Sequence, residues 1–176
     1  MAITLFPNGR ILHNGVEVAS EKMVDFWYIN SDITNSDSDS YLPGSKFTRN
    51  DKNAGASQIG TGMSVDSSSG AWTFPTTGKY MIEMHLNNRA NSGDNTYIGL
   101  QATTNNSTYT SVKYFQSGSS GGAGNSHSGS GSYFVNVTDT SQVKVKFYPM
   151  SLQSGSYFEG SDAHLQSTIT YTRLSS

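Results

Sequence analysis

The 176-residue sequence contains no cysteine, so its stability depends neither on disulfides nor on the redox state of a compartment. Charged residues are also scarce. They make up 14% of the chain, and the net charge of -2 provides no basic surface for DNA, RNA or anionic lipid. We therefore expect no nucleic-acid partner.

Long apolar runs are absent as well. No segment approaches the roughly 20 apolar residues that a membrane-spanning helix needs. Met1 is not followed by the cationic and apolar segments of a secretory signal. We expect a soluble protein that is made in a cytoplasm and does not insert into a membrane.

The sequence does contain many short runs in which apolar and polar residues alternate, separated by turn residues and without helical periodicity. A chain of this length buries a sizeable core within one domain. The pattern predicts an all-β protein, namely an antiparallel two-sheet jelly-roll sandwich of about ten strands. We place this domain at residues 23–176, after a short N-terminal β arm at residues 1–22.

The clearest stretch is Gly70–Arg89. Trp72 and Phe74 precede a turn that Gly78 closes, and strict alternation follows the turn. The residues expected to face the core are Tyr80, Ile82, Met84 and Leu86. We predict a hairpin at the centre of the domain, formed by a short strand before the turn and a long strand after it.

Six further segments have strand character. They are Val24–Ile29, Thr96–Ala102, Thr110–Gln116, Ser132–Val137, Val143–Tyr148 and Leu165–Leu174. The polar stretch Ser31–Ser69 is expected to carry two or three edge strands. The Gly/Ser-rich stretch Ser117–Ser132 is interpreted as a flexible surface loop.

The N-terminal arm contains three short strand-like pieces separated by Asn8-Gly9 and Asn14-Gly15, which predicts a three-stranded meander. A meander of this size cannot bury enough apolar surface to be stable alone. Its apolar side chains must therefore contact the main domain, a neighbouring subunit or another protein. The candidate partner-binding residues are Ile3, Leu5, Phe6, Ile11, Leu12, Val16 and Val18.

The pattern Gly-x-aromatic-Thr-Phe-x-x-x-Gly-x-Tyr, from Gly70 to Tyr80, followed by Asn88 and Arg89, resembles the core hairpin of tumour-necrosis-factor-like jelly rolls. The nearest branch is that of the globular heads of complement component one q. The segment His164–Leu174 resembles the last strand of the same family. The resemblance implies a ten-stranded jelly roll that assembles as a homotrimer.

The sequence around this hairpin, which is rich in Asn, Ser, Thr and Gly, is also similar to small virion proteins of tailed bacteriophages, especially aquatic ones. That similarity implies a structural protein on the virion surface. One hypothesis is a homotrimeric capsid decoration or cement protein, whose arm binds the major capsid protein or another virion protein. The alternative is the head of a short tail fibre or spike that binds a host-surface polysaccharide or receptor.

Asp32, Asp37 and Asp39 are the candidate calcium ligands, because carboxylates in one short polar segment offer the hard oxygen ligands that calcium prefers. A helix-loop-helix calcium site needs a Gly at the sixth position of its loop and a Glu at the twelfth. This segment has Ser40 and Lys46 at those positions. A solvated turn explains the same residues.

Aromatic residues in loops are candidates for stacking on sugar rings. They are Tyr109, Tyr157 and Phe158. Core packing or subunit contact is the alternative role, since aromatic side chains dominate both kinds of surface.

No catalytic motif stands out. Gly118–Gly122 matches Gly-x-Ser-x-Gly around Ser120, but no helix follows it, as a nucleophile elbow requires. Glu83 and Glu159 are the carboxylates considered for a glycosidase pair. The histidines, His13, His85, His127 and His164, show no ligand spacing. We expect no enzyme activity and no cofactor.

Overall fold

The computed structural model describes residues 22–52, 57–91, 94–119, 125–150 and 152–175, together with the backbone of 3–5, 11–13 and 16–17. Side chains are described up to residue 117 in the third of these segments. Strands account for nearly all of the regular structure, and these residues contain no α-helix. Within these ranges, no helix is long and apolar enough to cross a membrane. The all-β prediction is confirmed.

The first three strands are β1 (Ile3–Leu5), β2 (Ile11–His13) and β3 (Val16–Glu17). The strands that follow are β4 (Met23–Ile29), β5 (Ser31–Thr34), β6 (Phe47–Arg49), β7 (Gln58–Ile59), β8 (Ser64–Val65), β9 (Trp72–Thr73), β10 (Gly78–Ala90), β11 (Asn95–Thr103), β12 (Thr110–Ser119), β13 (Asn125–Val137), β14 (Lys144–Met150), β15 (Tyr157–Ser161) and β16 (Thr168–Ser175). Two single 3-10 turns lie at Asn35–Asp37 and Gly44–Lys46.

Among the described residues, the N-terminal strands pair with one another and with no other strand, β2 lying between β1 and β3 in an antiparallel sheet. The predicted meander is confirmed. Phe6 and Val18 lie outside the described residues, as do the side chains of Ile3, Leu5, Ile11, Leu12 and Val16. The role of the arm, and the domain boundary after residue 22, therefore stay predictions.

The main domain is a sandwich of two antiparallel sheets. The eight-stranded sheet is centred on β10, which pairs with β13 along one edge and with β16 and then β15 along the other. β4 continues this sheet beyond β16 and carries β6 and β7 on its far side, while β5 pairs with β15. The five-stranded sheet has the order β12-β11-β14-β9-β8. The polar stretch Ser31–Ser69 supplies four short strands, more than the two or three expected.

The alternation along β10 is as predicted. Tyr80, Ile82, Met84 and Leu86 are buried between the sheets, whereas Lys79 and His85 are exposed on the other face. Successive side chains of a strand point to opposite faces, so one sequence pattern places four core residues and leaves the intervening ones outside.

The predicted central hairpin is wrong. β9 pairs with β14 and β8 in the five-stranded sheet, while β10 belongs to the eight-stranded sheet. The turn between them carries the chain from one sheet to the other. Phe74 and Tyr80 stay buried on either side of the turn, with ring centroids 4.9 Å apart, and the Tyr80 hydroxyl donates a hydrogen bond to the Thr76 carbonyl at 2.9 Å.

Trp72 is the centre of the core. It is fully buried, and its ring lies 4.9 Å from Trp27, 5.0 Å from Tyr171 and 5.2 Å from Phe47. These three neighbours belong to the eight-stranded sheet, so a single side chain from β9 joins the two sheets. Close aromatic packing of this kind buries large areas per residue and stabilises the sandwich.

The predicted flexible loop at Ser117–Ser132 is wrong for the described part of that stretch. β12 runs to Ser119, and β13 begins at Asn125 and pairs with β10 over thirteen residues. A β-carbon on Gly129 would lie 2.1 Å from the carbonyl oxygen of Gln116 on β12. The absence of a side chain at Gly129 therefore allows the two sheets to approach closely at this edge, and exposed serines alternate with the glycines along this part of β13.

A buried carboxylate fixes the segment before β8. Asp25 is fully buried on β4 and accepts hydrogen bonds from Arg49 Nε at 2.8 Å and from the Met63 backbone N–H at 2.6 Å. The Arg49 guanidinium also lies 4.5 Å from the Trp27 ring centre. A buried charge is stable when it is paired and hydrogen-bonded, and here it ties three segments together.

Candidate binding surfaces

A row of four apolar side chains and one threonine crosses the outer face of the eight-stranded sheet, the face turned away from the other sheet. The strand registers place these residues directly beside one another, in the order Ile59, Val24, Thr172, Met81 and Phe134. We call these five residues the cross-sheet row. Directly paired residues lie on the same face, so their side chains form one continuous surface.

Both ends of the cross-sheet row are open to solvent. The exposed fraction is 62% for Phe134 and 54% for Ile59, while Val24, Met81 and Thr172 between them are half-buried. Leu174 lies two residues beyond Thr172 on β16 and is 47% exposed. Contiguous exposed apolar surface of this kind is typical of a protein interface.

The outer face of the five-stranded sheet has a different character. Its registers place Tyr114 and Tyr148 on either side of Gly99. The Tyr148 ring lies over the glycine, since a β-carbon on Gly99 would be 2.4 Å from Tyr148 Cε1. The Gly99 position therefore provides the space in which the Tyr148 ring lies flat on the sheet.

Lys146 lies between two tyrosines on this face. Its Nζ atom is 4.4 Å from the ring centre of Tyr41 and 4.6 Å from that of Tyr109, and the two rings are 6.1 Å apart. An ammonium over an aromatic face is attracted by the ring quadrupole. Partial burial, followed by the influence of Tyr41, raises the pKa of Tyr109.

The chain holds Tyr41 in place through its neighbours. Leu42 is buried, and its backbone N–H donates to the Phe147 carbonyl at 2.9 Å. The Asp39 N–H donates to the Pro149 carbonyl at 2.8 Å. These bonds fix the segment alongside β14 and leave the Tyr41 side chain beside Lys146.

Hydrogen bonds between side chains connect the tyrosines. The Tyr41 hydroxyl donates to Gln101 Oε1 at 2.6 Å, and Gln101 Nε2 donates to Ser111 Oγ at 3.3 Å. Ser111 Oγ and the Tyr148 hydroxyl are 3.0 Å apart and share a hydrogen bond. The network restrains both aromatic rings before any ligand arrives.

Two open clefts lie on this face, and Tyr41, Ser69 and Lys146 line both. The first cleft has a volume of about 710 Å³, and Tyr109 and Lys144 are among its other lining residues. The second has a volume of about 570 Å³ and is also lined by residues including Asp39, Ser40, Ser68, Gln101 and Tyr148. Two adjoining clefts with aromatic and hydrogen-bonding walls form a candidate ligand site.

Asp66 borders the first cleft, and its carboxylate accepts hydrogen bonds from groups of the protein. It accepts backbone N–H bonds from Ser69 at 2.7 Å and from Ser68 at 3.1 Å. The bonds from Ser69, and then that from Ser68, lower the pKa of the Asp66 carboxyl, and Lys146 adds a smaller effect. Asp66 therefore stabilises the turn that forms one wall of the cleft.

The three calcium candidates do not converge. Asp37 accepts the Thr34 backbone N–H at 2.9 Å and pairs with Lys46 at 3.4 Å, whereas Asp32 accepts the Gly160 N–H at 3.0 Å. Asp39 accepts a bond from Ser38 at 3.3 Å. Across the described ranges, no three His, Asp or Glu side chains are grouped to hold a metal ion. Each carboxylate is instead bound by groups of the protein close to it.

The predicted glycan-facing aromatics have separate positions. Tyr109 contributes to the first cleft. Tyr157 is half-buried on β15, paired with Thr34 and Arg89, and takes no part in either cleft. Phe158 is fully buried, so its prediction as a surface residue is wrong. The reason is alternation, because the residue after an outward-facing Tyr157 must point into the core.

Sequence reasoning missed Tyr41, Gln101, Lys146 and Tyr148 as members of one site. The outward direction of Lys144 and Lys146 was predictable from the alternation of β14. The position of Tyr41 was not, because it depends on backbone bonds between segments over one hundred residues apart.

Glu83 and Glu159, the carboxylates considered for a glycosidase pair, line neither cleft. Ser120 lies outside the described residues. Glu159 accepts from Arg89 Nε at 3.0 Å and from Gln166 Nε2 at 3.4 Å. Glu83 lies on the outer face of the eight-stranded sheet, paired with Thr170 and Ser132.

The two sheets and their strand order define the fold class as an antiparallel jelly-roll sandwich. The sequence matches no protein-family model and no curated protein.

Solved structures supply the comparison. Eiger TNF from S. frugiperda aligns with a TM-score of 0.61 and 11% identity, over 88% of this chain and 94% of that one. Murine APRIL aligns with a TM-score of 0.55 and 9% identity, over 87% and 99%. The globular domain of zebrafish complement 1qA protein gives a TM-score of 0.46 and 11% identity, over 88% and 95%. At such identities the likeness concerns the fold alone, and the predicted TNF-like jelly roll is confirmed as a fold.

Proposed function

We propose that this chain is a non-enzymatic structural protein of a bacteriophage virion, a homotrimeric capsid decoration protein displayed on the virion surface. The proposal combines the TNF-like jelly roll with the similarity of the sequence to small virion proteins. The observation that carries the assembly is the cross-sheet row, which leaves the large apolar side chains Phe134 and Ile59 exposed on one face of the sandwich.

The shape of the row suits a second copy of the same chain. Phe134 lies on the β13 edge of the eight-stranded sheet, and Ile59 lies at its opposite end. In a closed ring, two different patches of the same protein contact each other at every interface. We propose that Phe134 of each copy covers the Val24 and Ile59 end of the next, so that three copies bury three equivalent rows.

The N-terminal arm has a separate role in this proposal. Its antiparallel sheet pairs with no strand of the main domain, so far as its described backbone shows. The arm would bind the major capsid protein or another virion protein through its apolar residues.

Light scattering on the purified full chain tests the assembly. We expect three times the 19.0 kDa mass of one chain. Deleting residues 1–19 should leave a trimer of the shorter chain and abolish its binding to particles of the phage that encodes the protein. A monomeric full chain would contradict the trimer, and a truncated trimer that still decorates particles would contradict the role of the arm.

The tyrosine and lysine clefts favour a second candidate function, the head of a short tail fibre or spike that binds a host-surface polysaccharide. Tyr41, Tyr109 and Lys146 form an exposed aromatic site on the face that the proposed trimer leaves free. Cells of the host should retain the labelled protein, and alanine at Tyr41 or Tyr109 should reduce this retention. Equal retention of these variants would argue against recognition through this site.

A further inference from the structure

We infer that the paired clefts on the five-stranded sheet bind an acidic glycan, with a carboxylate-bearing sugar in the first cleft and a neutral sugar in the second. This inference rests on the second candidate function and names its ligand class. It does not require the capsid attachment proposed above.

Among the described residues, no carboxylate lies within 4.0 Å of the ammonium of Lys146, the lysine at the junction of the clefts. Lys46, Lys52, Arg49 and Arg89 each have a carboxylate within 4.0 Å, at 3.4, 3.5, 2.8 and 3.0 Å. No such pair forms between Lys146 and any described carboxylate; aromatic faces surround its ammonium instead. An ammonium that is positioned by two rings and is in direct contact with no described carboxylate is suited to a ligand carboxylate.

The charges differ between the two clefts. The first is lined by Lys144 and Lys146, against a single carboxylate, Asp66, which already accepts two backbone N–H bonds. The second shares Lys146 but also contains Asp39. The first cleft therefore has an excess of positive charge and the second does not, which gives a bound sugar chain a direction.

The walls suit sugar rings. Tyr41 keeps 41% of its surface exposed although its hydroxyl is held by Gln101, so its ring is both fixed and accessible. Aromatic rings offer flat apolar surface for the C–H face of a pyranose at low entropic cost. Hydroxyl and amide groups of Ser69, Asn106 and Gln101 line the clefts and match the closely spaced hydroxyls of a saccharide.

The same features disfavour a protein partner at this site. Protein interfaces have a hydrophobic core surrounded by a polar rim. Here the aliphatic contribution to the first cleft is limited to Val65 and Ala71, and the second cleft has none.

The test uses the full-length protein and a panel of oligosaccharides that carry galacturonate, glucuronate or N-acetylneuraminate, each beside its methyl ester. Calorimetry should show binding of at least one acid, about ten times weaker for the ester. Lys146→Met should lower affinity for the acid about tenfold and leave the ester unchanged, because the aliphatic stem remains. Tyr41→Ala should weaken binding of both.

Matched controls are Lys79→Met and Tyr114→Ala, which remove exposed residues of the same types outside the clefts and should bind as the wild type does. Three results would overturn the inference. They are binding of no acid on the panel, equal binding of acid and ester, and retention on host cells that is abolished when the cells are treated with protease. Molecular mass is measured on the same samples. A trimer without acid binding contradicts only the inference, and a monomer with acid binding contradicts only the assembly.

Discussion

The two outer faces of the sandwich have the same alternating backbone but opposite chemistry. On the eight-stranded sheet, the cross-sheet row exposes Phe134 and Ile59, which end in apolar groups. On the five-stranded sheet, Tyr41 and Tyr148 are joined through Gln101 and Ser111 by hydrogen bonds. One face exposes apolar side chains to solvent, and the other has aromatic side chains that hydrogen bonds hold in place.

This difference separates two ways in which a strand surface interacts. An uncovered apolar row gains free energy only when a complementary surface excludes water from it. A restrained aromatic network loses little conformational entropy when a small ligand binds. We therefore assign assembly to the first face and ligand recognition to the second.

The largest expected effect is on stability and comes from a substitution at Gly129, where the two sheets approach each other closely. The Gly129→Val substitution forces a side chain against the β12 backbone, where a β-carbon would already lie 2.1 Å from the Gln116 oxygen. Overpacking costs about 1–3 kcal/mol, and backbone cannot rotate away, so we expect about 3 kcal/mol or more. Thermal unfolding followed by circular dichroism measures the loss.

The matched control is Ser130→Val, at the next position of β13, where the side chain is exposed and pairs with His85. A β-branched residue suits a strand at that place, so stability should hardly change. If Gly129→Val and Ser130→Val melt at the same temperature, the close approach of the two sheets is not a constraint.

The next effect tests the apolar face alone. Phe134→Glu removes the most exposed apolar side chain of the cross-sheet row and puts a charge in its place. Burial of a phenylalanine contributes about 1.5–3 kcal/mol, so each of the three interfaces should weaken by up to about a hundredfold. Analytical ultracentrifugation across a concentration series measures this weakening.

Tyr114→Glu provides the comparison, since Tyr114 is 49% exposed on the five-stranded sheet. We expect this variant to assemble as the wild type does. Dissociation of both variants, or of Tyr114→Glu alone, would reverse the assignment of the two faces.

A smaller effect tests the restraint on the aromatic face. Gly99→Ala places a methyl group under the Tyr148 ring, which must move away from Ser111. A ring can swing aside more easily than backbone, so the expected cost is about 1 kcal/mol. The tyrosine signal in near-ultraviolet circular dichroism should also change.

A double-mutant cycle isolates the cause. In a Tyr148→Ala background, the added methyl group at position 99 meets no ring, and the cost of Gly99→Ala should largely disappear. An unchanged cost would place the strain in the backbone of β11 instead.

The smallest effect concerns the turn beside the first cleft. The backbone N–H groups of Ser69 and Ser68 lower the pKa of Asp66 below its ordinary 3.8. The stability that this carboxylate contributes is therefore complete above the unfolded pKa and is lost as pH falls through the lower folded pKa. The difference in melting temperature between wild type and Asp66→Asn should shrink as the pH is lowered below 3.8. A carboxyl that titrates by NMR above 3.8 would contradict this account.

The sequence predicted what depends on local alternation. The inward residues of β10 and β14 followed from their period of two, and so did the all-β class. The connection after Phe74 was misread, because a short turn closed by glycine looks the same whether it joins two paired strands or crosses between two sheets. Which of the two connections forms depends on the strand with which Trp72 pairs, and its partner Val145 lies more than seventy positions away.

Composition misled the interpretation of β13. Glycine and serine in a row usually indicate a loop, but here the approach of β12 requires a glycine at position 129, and the serines lie on the exposed face of the strand. The clefts were equally hidden. Tyr41 is a single aromatic residue in a polar segment. It lies beside Lys146 because the backbone N–H groups of Asp39 and Leu42 donate hydrogen bonds to carbonyls of β14.

The opposite placement of the two faces has a consequence for binding strength. If three copies join through their eight-stranded sheets, the trimer carries three identical pairs of clefts that point outward. Simultaneous engagement of a repeating polymer then raises the effective affinity by orders of magnitude over that of one cleft. A shallow cleft with weak monovalent affinity would therefore be sufficient for firm attachment, and a monomeric variant would lose that attachment with every cleft intact.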